Sequence, residues 1–162
     1  KELMSAFIVF GFMKTVISLS FSALLAFWLY QYDIFSFGIL LLIFVVNLLL
    51  TGWACGFLVG SLIIRFGQKI QTLAWAGVAL IAPFSAVYYP LSVLPQWAQQ
   101  IGLLIPSTYI FEEIRSAMFT GHVSYVTLLL SFGLNIIYFI LSVWLFIKMF
   151  NKSRQLGLGR LI

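Results

Sequence analysis

The sequence predicts an all-α, polytopic membrane protein with four transmembrane helices and a re-entrant extracellular helical hairpin before the last of them. Three observations carry that expectation. Of 162 residues, 63% are hydrophobic and only 8% charged, with a mean hydropathy of +1.12. Soluble domains carry roughly 25% charged residues, so charges this sparse cannot clothe a core this apolar. The few charges fall between long apolar runs, and a helix needs about 20 such residues to cross a bilayer. Finally, one long uncharged stretch, 70–111, is broken by prolines.

The elements run in order within a single transmembrane domain, 1–162. A first crossing is expected over about 12–31, with Lys14 at its border. A second is expected over about 36–64 and a third over about 70–90. A re-entrant hairpin then occupies about 94–120, a last crossing about 123–148, and a cytoplasmic tail 149–162. The stretch 70–111 is long enough to cross twice, and the positive-inside rule decides against it. Arg65 and Lys69 flank one short loop, while Lys148, Lys152, Arg154 and Arg160 crowd the C-terminus. If both groups face the cytoplasm, an even number of crossings separates them, and 123–148 supplies one. Lys1 and Lys14 precede Arg65 by two crossings under the same rule. Asp33, Glu112, Glu113 and Arg115 then lie outside, and both termini of the segment lie inside.

About 30 residues remain between the third and fourth crossings, more than a turn requires. Pro90, Pro95 and Pro106 exclude one continuous helix there. Pro95 suits the first turn of a short helix, with Leu94, Trp97, Ala98, Ile101 and Leu104 on one face and Gln96, Gln99 and Gln100 on the other. A second short helix is expected after Ser107 or Thr108, ending before Gly121, with an apolar stripe of Ile110, Phe111, Ile114, Ala117 and Met118. Irregular backbone between two such helices must be buried in protein or wetted, because lipid cannot satisfy it. Pro83 is expected to kink the third crossing.

Composition and motifs also exclude function classes. The net charge of +5 is spread over the ends of apolar runs and forms no basic face, which argues against nucleic acid. Cys55 is the sole cysteine and His122 the sole histidine. No metal-ligand spacing and no glycine-rich phosphate loop is present, so neither catalysis nor a cofactor is expected of this chain. The sequon Asn151-Lys152-Ser153 falls on the cytoplasmic side. Ion coupling normally uses intramembrane carboxylates, yet Glu2, Asp33, Glu112 and Glu113 all fall outside the crossings. Energy for transport is therefore expected from another chain.

Gly52, Gly56 and Gly60 lie four apart and share one side of a helix, where they admit close backbone approach. Packing within the chain is the more common use of such a row, and a subunit or gating interface is the alternative. Asn47 and Asn135 fit interhelical hydrogen bonding more readily than substrate contact. Glu112 and Arg115, three apart, can pair on one helix face, as an orienting contact or as part of a gate.

The stretch 83–121 resembles the C-terminal part of ABC-2 family export permeases. The likeness rests on Ala86-Val87-Tyr88-Tyr89-Pro90-Leu91-Ser92-Val93-Leu94-Pro95-Gln96-Trp97, on Leu104-Ile105-Pro106-Ser107-Thr108-Tyr109, and on Glu112-Glu113-Ile114-Arg115. In order of elements it covers essentially the whole chain, which would match the family's third to sixth crossings. Together with the opening Lys1-Glu2-Leu3-Met4, this leads to the expectation of a C-terminal part of a longer protein. The resemblance implies a permease in the cell (inner) membrane, paired with a second permease copy and with ATP-binding cassette ATPase subunits. It implies that the hairpin residues Pro90, Pro95, Trp97, Pro106, Glu112 and Arg115 help form an extracellular gate. Lys1, Lys14, Arg65 and Lys69 are the cytoplasmic residues left to face the ATPase. The expected cargo is amphipathic, in the drug, lipid or glycan class; an ion-coupled carrier or channel subunit and a non-transporting membrane scaffold are the alternative readings.

Overall fold

The computed structural model describes residues 2–31 and 37–155. Lys1, Asp33 and Arg160, which entered the charge argument, lie outside the described residues. Among those described, every regular element is helical. Three helices are long and apolar enough to cross a membrane: α1 (Glu2–Tyr30), within which Ile8–Leu29 meets the criterion, α2 (Ile39–Phe66) and the last helix, Tyr125–Gln155. By length and composition this is a membrane protein.

The chain divides into two compact units, Lys1–Leu49 and Leu50–Ile162. In the first, α1 presents Phe10, Ile17, Phe21, Leu24 and Trp28 outward, an apolar surface suited to hydrocarbon. Lys14 sits six residues into Ile8–Leu29, the stretch of α1 that is long and apolar enough to cross a membrane. At 1.5 Å per residue that is a depth of about 9 Å, which a lysine stem can bridge by snorkelling.

In the second unit, α2 and the last helix run parallel. Thr51 meets Asn135, Phe57 meets Phe139 and Phe146, and Gly60 faces Phe146 at 3.4 Å. Carrying the Thr51–Asn135 register forward 14 residues brings Arg65 level with about residue 149, beside Lys148. Both basic ends therefore share one end of the unit. Since the two helices are parallel, residues 67–124 must return the chain from that end to the other.

No continuous helix makes that return. The expected third crossing at about 70–90 is replaced by a 3-10 turn (Gln68–Ile70), the nine-residue α3 (Gln71–Ala79), and 3-10 turns at Ala82–Phe84 and Leu91–Val93. The cause is Pro83: a proline ring clashes with the carbonyl four residues back and removes a helical donor. That position is Ala79, the last residue of α3. Pro83 ends this helix where a kink was expected.

Two short helices come next, at the expected places. α4 (Gln96–Gly102) has Pro95 as its N-cap. α5 (Pro106–Thr120) carries Pro106 in its first turn, two or three residues earlier than the expected start. Gly121, in the left-handed region at φ 70°, closes α5 as a glycine C-terminus does. The last helix, α6 (Tyr125–Gln155), continues seven residues past the expected end of its crossing, so 149–155 are helical.

Candidate functional site

The α4–α5 hairpin packs on α6 through antiparallel α5. Glu113 at the middle of α5 reaches Ser124 just before α6, and Pro106 at the start of α5 meets Ser131. The hairpin tip, between Gly102 and Pro106, lies deeper still, where the Tyr138 hydroxyl donates to the Leu104 carbonyl at 2.9 Å. Tyr138 is 13 residues into α6, about 20 Å from its start.

Irregular backbone here is met by side chains. Tyr89 donates to the Pro83 carbonyl at 2.7 Å, Gln99 Nε2 to Leu94 at 2.7 Å and Tyr109 to Leu103 at 2.7 Å. Ser131 donates to Pro106 at 2.8 Å and Arg115 Nη2 to Ala86 at 3.0 Å. The Pro83, Ala86, Leu94 and Leu103 carbonyls lie outside the α-helices, and an unmet carbonyl is costly away from water.

Glu112 and Arg115 form the expected ion pair at 2.8 Å, and each partner also holds the preceding segment. Glu112 Oε1 accepts the Leu91 N–H at 2.8 Å, while Arg115 holds Ala86, which is fully buried with φ 55°. That left-handed conformation costs a residue with a Cβ about 1–2 kcal/mol. Glu113 has a separate task. Its Oε2 accepts the Ser124 N–H at 2.8 Å, while Ser124 Oγ accepts the Thr127 N–H at 3.4 Å. In a capping box the third helical residue supplies the carboxylate; here α5 supplies it to α6.

The other hairpin residues spread out. Pro90 opens the 3-10 turn Leu91–Val93. Trp97 is exposed, with its ring edge-on to Phe84 at 6.0 Å. Gly102 is the tightest point: a Cβ there would sit 2.6 Å from Leu91 Cδ1 and 2.7 Å from the Phe84 carbonyl oxygen. Of the glycine row on α2, only Gly60 packs against another side chain among the described residues. Gly52 and Gly56 are exposed, with no atom within 4 Å of an added Cβ. Intrachain packing therefore explains one glycine of three. Arg65 lies over the Phe66 ring at 5.9 Å, and Lys69 is exposed in the turn before α3.

Behind the hairpin tip, α2, α3, α4, the start of α5 and α6 line an open-sided cavity of about 610 Å³. Its walls are mostly aliphatic: Ala54, Leu58, Val78, Ile81, Ile101, Leu141 and Leu145 among them. Ser107 adds a hydroxyl to the wall, and four of the polar wall side chains are engaged with protein. Thr51 donates to Asn135 Oδ1 at 2.8 Å, Tyr138 to Leu104, and Ser142 to the Phe139 carbonyl. Sealed and empty, such a volume would cost on the order of 10 kcal/mol at ~24 cal/mol per Å³. Sequence reasoning missed Gln99, Gly102, Ser131 and Tyr138 as structural partners. A signal existed on α6, where Ser131, Asn135, Tyr138 and Ser142 recur at helical spacing and mark one polar stripe.

No protein-family model, curated protein or solved structure matches the chain.

Proposed function

We propose that the chain is a membrane-spanning permease subunit of an ATP-driven, ABC-type exporter that moves an amphipathic substrate out of the cytoplasm. The observation that carries the reading is the hairpin whose irregular carbonyls are covered by side-chain donors. Water would satisfy those carbonyls without help, whereas hydrocarbon would not. A tip about 20 Å along α6 compares with a hydrocarbon core of ~30 Å, which supports re-entry from one face. The parallel course of α2 and α6 supports the rest. Residues 71–91 make the fourth traverse in broken form, α4 and α5 dip back from the far side, and Arg65 and Lys148 share the cytoplasmic side.

The sequence likeness of 83–121 to ABC-2 export permeases links this hairpin to export. In that reading Glu112 and Arg115 stiffen the outer gate, the open Gly52 and Gly56 face takes a second permease copy, and the Lys69 turn meets the ATPase. A photo-crosslinking residue at Lys69 in the full-length protein tests this in native membranes. An adduct with an ATP-binding protein is expected. Reaction of Lys69→Cys with an impermeant thiol reagent added outside intact cells would reject the topology.

A further inference from the structure

The cavity behind the hairpin tip lacks the polar character of a hydrated path. At ~30 Å³ per molecule, 610 Å³ could hold about 20 waters, each wanting two to four polar partners. The walls offer a few hydroxyls and an amide, and the Thr51, Asn135, Tyr138 and Ser142 side chains are already hydrogen-bonded within the protein. The volume is nonetheless within the ~300–1,000 Å³ of sites that take up a whole ligand. Its rim is apolar and open: Ile81, Leu104 and Leu141 line the cavity and are also exposed. In a membrane-embedded chain that rim faces hydrocarbon.

We infer that the cavity is a binding site for one acyl chain of a membrane phospholipid, which enters sideways between the hairpin tip and α6. The chain fills space that neither water nor protein occupies, and it lies against Ala54, Leu58 and Leu145. Because the Thr51–Asn135 and Tyr138–Leu104 hydrogen bonds are complete without it, the site selects by shape and apolarity and not by headgroup. The hairpin tip then rests partly on lipid, which ties its stability to the surrounding bilayer. This inference needs the membrane placement but not ATP-driven export, so it stands if no ATPase is found.

The test uses the full-length protein in phosphatidylcholine liposomes containing a trace of phospholipid with a mid-chain diazirine. After photolysis, adducts are mapped by peptide fragmentation. Adducts are expected on the wall positions Leu58 and Leu145 as well as on outward-facing Leu129. Ala54→Phe should lower the wall adducts several-fold and leave Leu129 unchanged. The unaltered protein provides a second reading that does not depend on the variant folding. Cys55, in the cavity wall, should resist a charged thiosulfonate, because a thiol away from water is not converted to the reactive thiolate. Rapid modification of Cys55 by the charged reagent would show a hydrated cavity and overturn the inference. So would wall adducts that are absent while Leu129 is labelled, or wall adducts unchanged in a folded Ala54→Phe.

Discussion

Arg115 and Glu112, paired at 2.8 Å on α5, clamp two points of the segment before the hairpin. Arg115 takes the Ala86 carbonyl and Glu112 takes the Leu91 N–H. An exposed ion pair alone contributes under ~1 kcal/mol, but hydrogen bonds to charged groups contribute roughly 1.5–3 kcal/mol. The backbone bonds therefore outweigh the ion pair. Arg115→Met is expected to destabilise the protein by about 2 kcal/mol, and Glu112→Gln by about 1 kcal/mol, since the amide still accepts from Leu91. Thermal unfolding in a mild detergent measures both. Equal losses would show that the ion pair itself dominates.

Glu113, buried beside the start of α6, acts as a cap on a neighbouring helix. Glu113→Ala should cost ~1 kcal/mol, the usual scale of a lost N-cap. Ser124→Ala should cost a similar amount, and the double variant less than the sum, because both act on one turn. Protection of the α6 N-terminal amides in hydrogen exchange should fall locally while that of α2 is retained. A uniform loss along both helices would contradict a local cap.

Gly102 and Gly56 predict opposite outcomes for the same substitution. Gly102→Ala drives a Cβ into the Phe84 carbonyl and Leu91 and should cost about 1–3 kcal/mol, as overpacking does. Gly56→Ala meets open space within the chain and should gain up to ~1 kcal/mol of helix propensity in an isolated subunit. Gly56→Leu should leave the subunit folded and reduce self-association, read by crosslinking in liposomes. Unchanged self-association would remove this face from the interface.

Much of the architecture is legible in the sequence because it obeys local rules. Apolar length places α1, α2 and α6, proline and glycine chemistry places α4 and α5, and the three-residue spacing pairs Glu112 with Arg115. The stretch 70–90 is expected as one kinked helix because apolar composition is blind to helix continuity, and the structure has no continuous helix there. Pro83 ends the helix after Ala79, and hydrogen bonds from side chains hold the irregular backbone beyond it. Several of those bonds join residues far apart in sequence, such as Tyr138 to Leu104 and Arg115 to Ala86, so no local pattern announces them. The polar stripe on α6 is visible, but several of its partners are backbone carbonyls, which every residue carries.

The central claim is that this chain works with an ATP-hydrolysing partner, and co-purified ATPase activity tests it most directly. The full-length protein, tagged and extracted from native membranes in a mild detergent, is expected to elute with an ATP-binding subunit and with ATP hydrolysis. Both should be lost together when the Lys69 turn is replaced by a glycine–serine linker. Elution as a folded protein, free of any ATP-binding subunit and of ATP hydrolysis, would contradict the account.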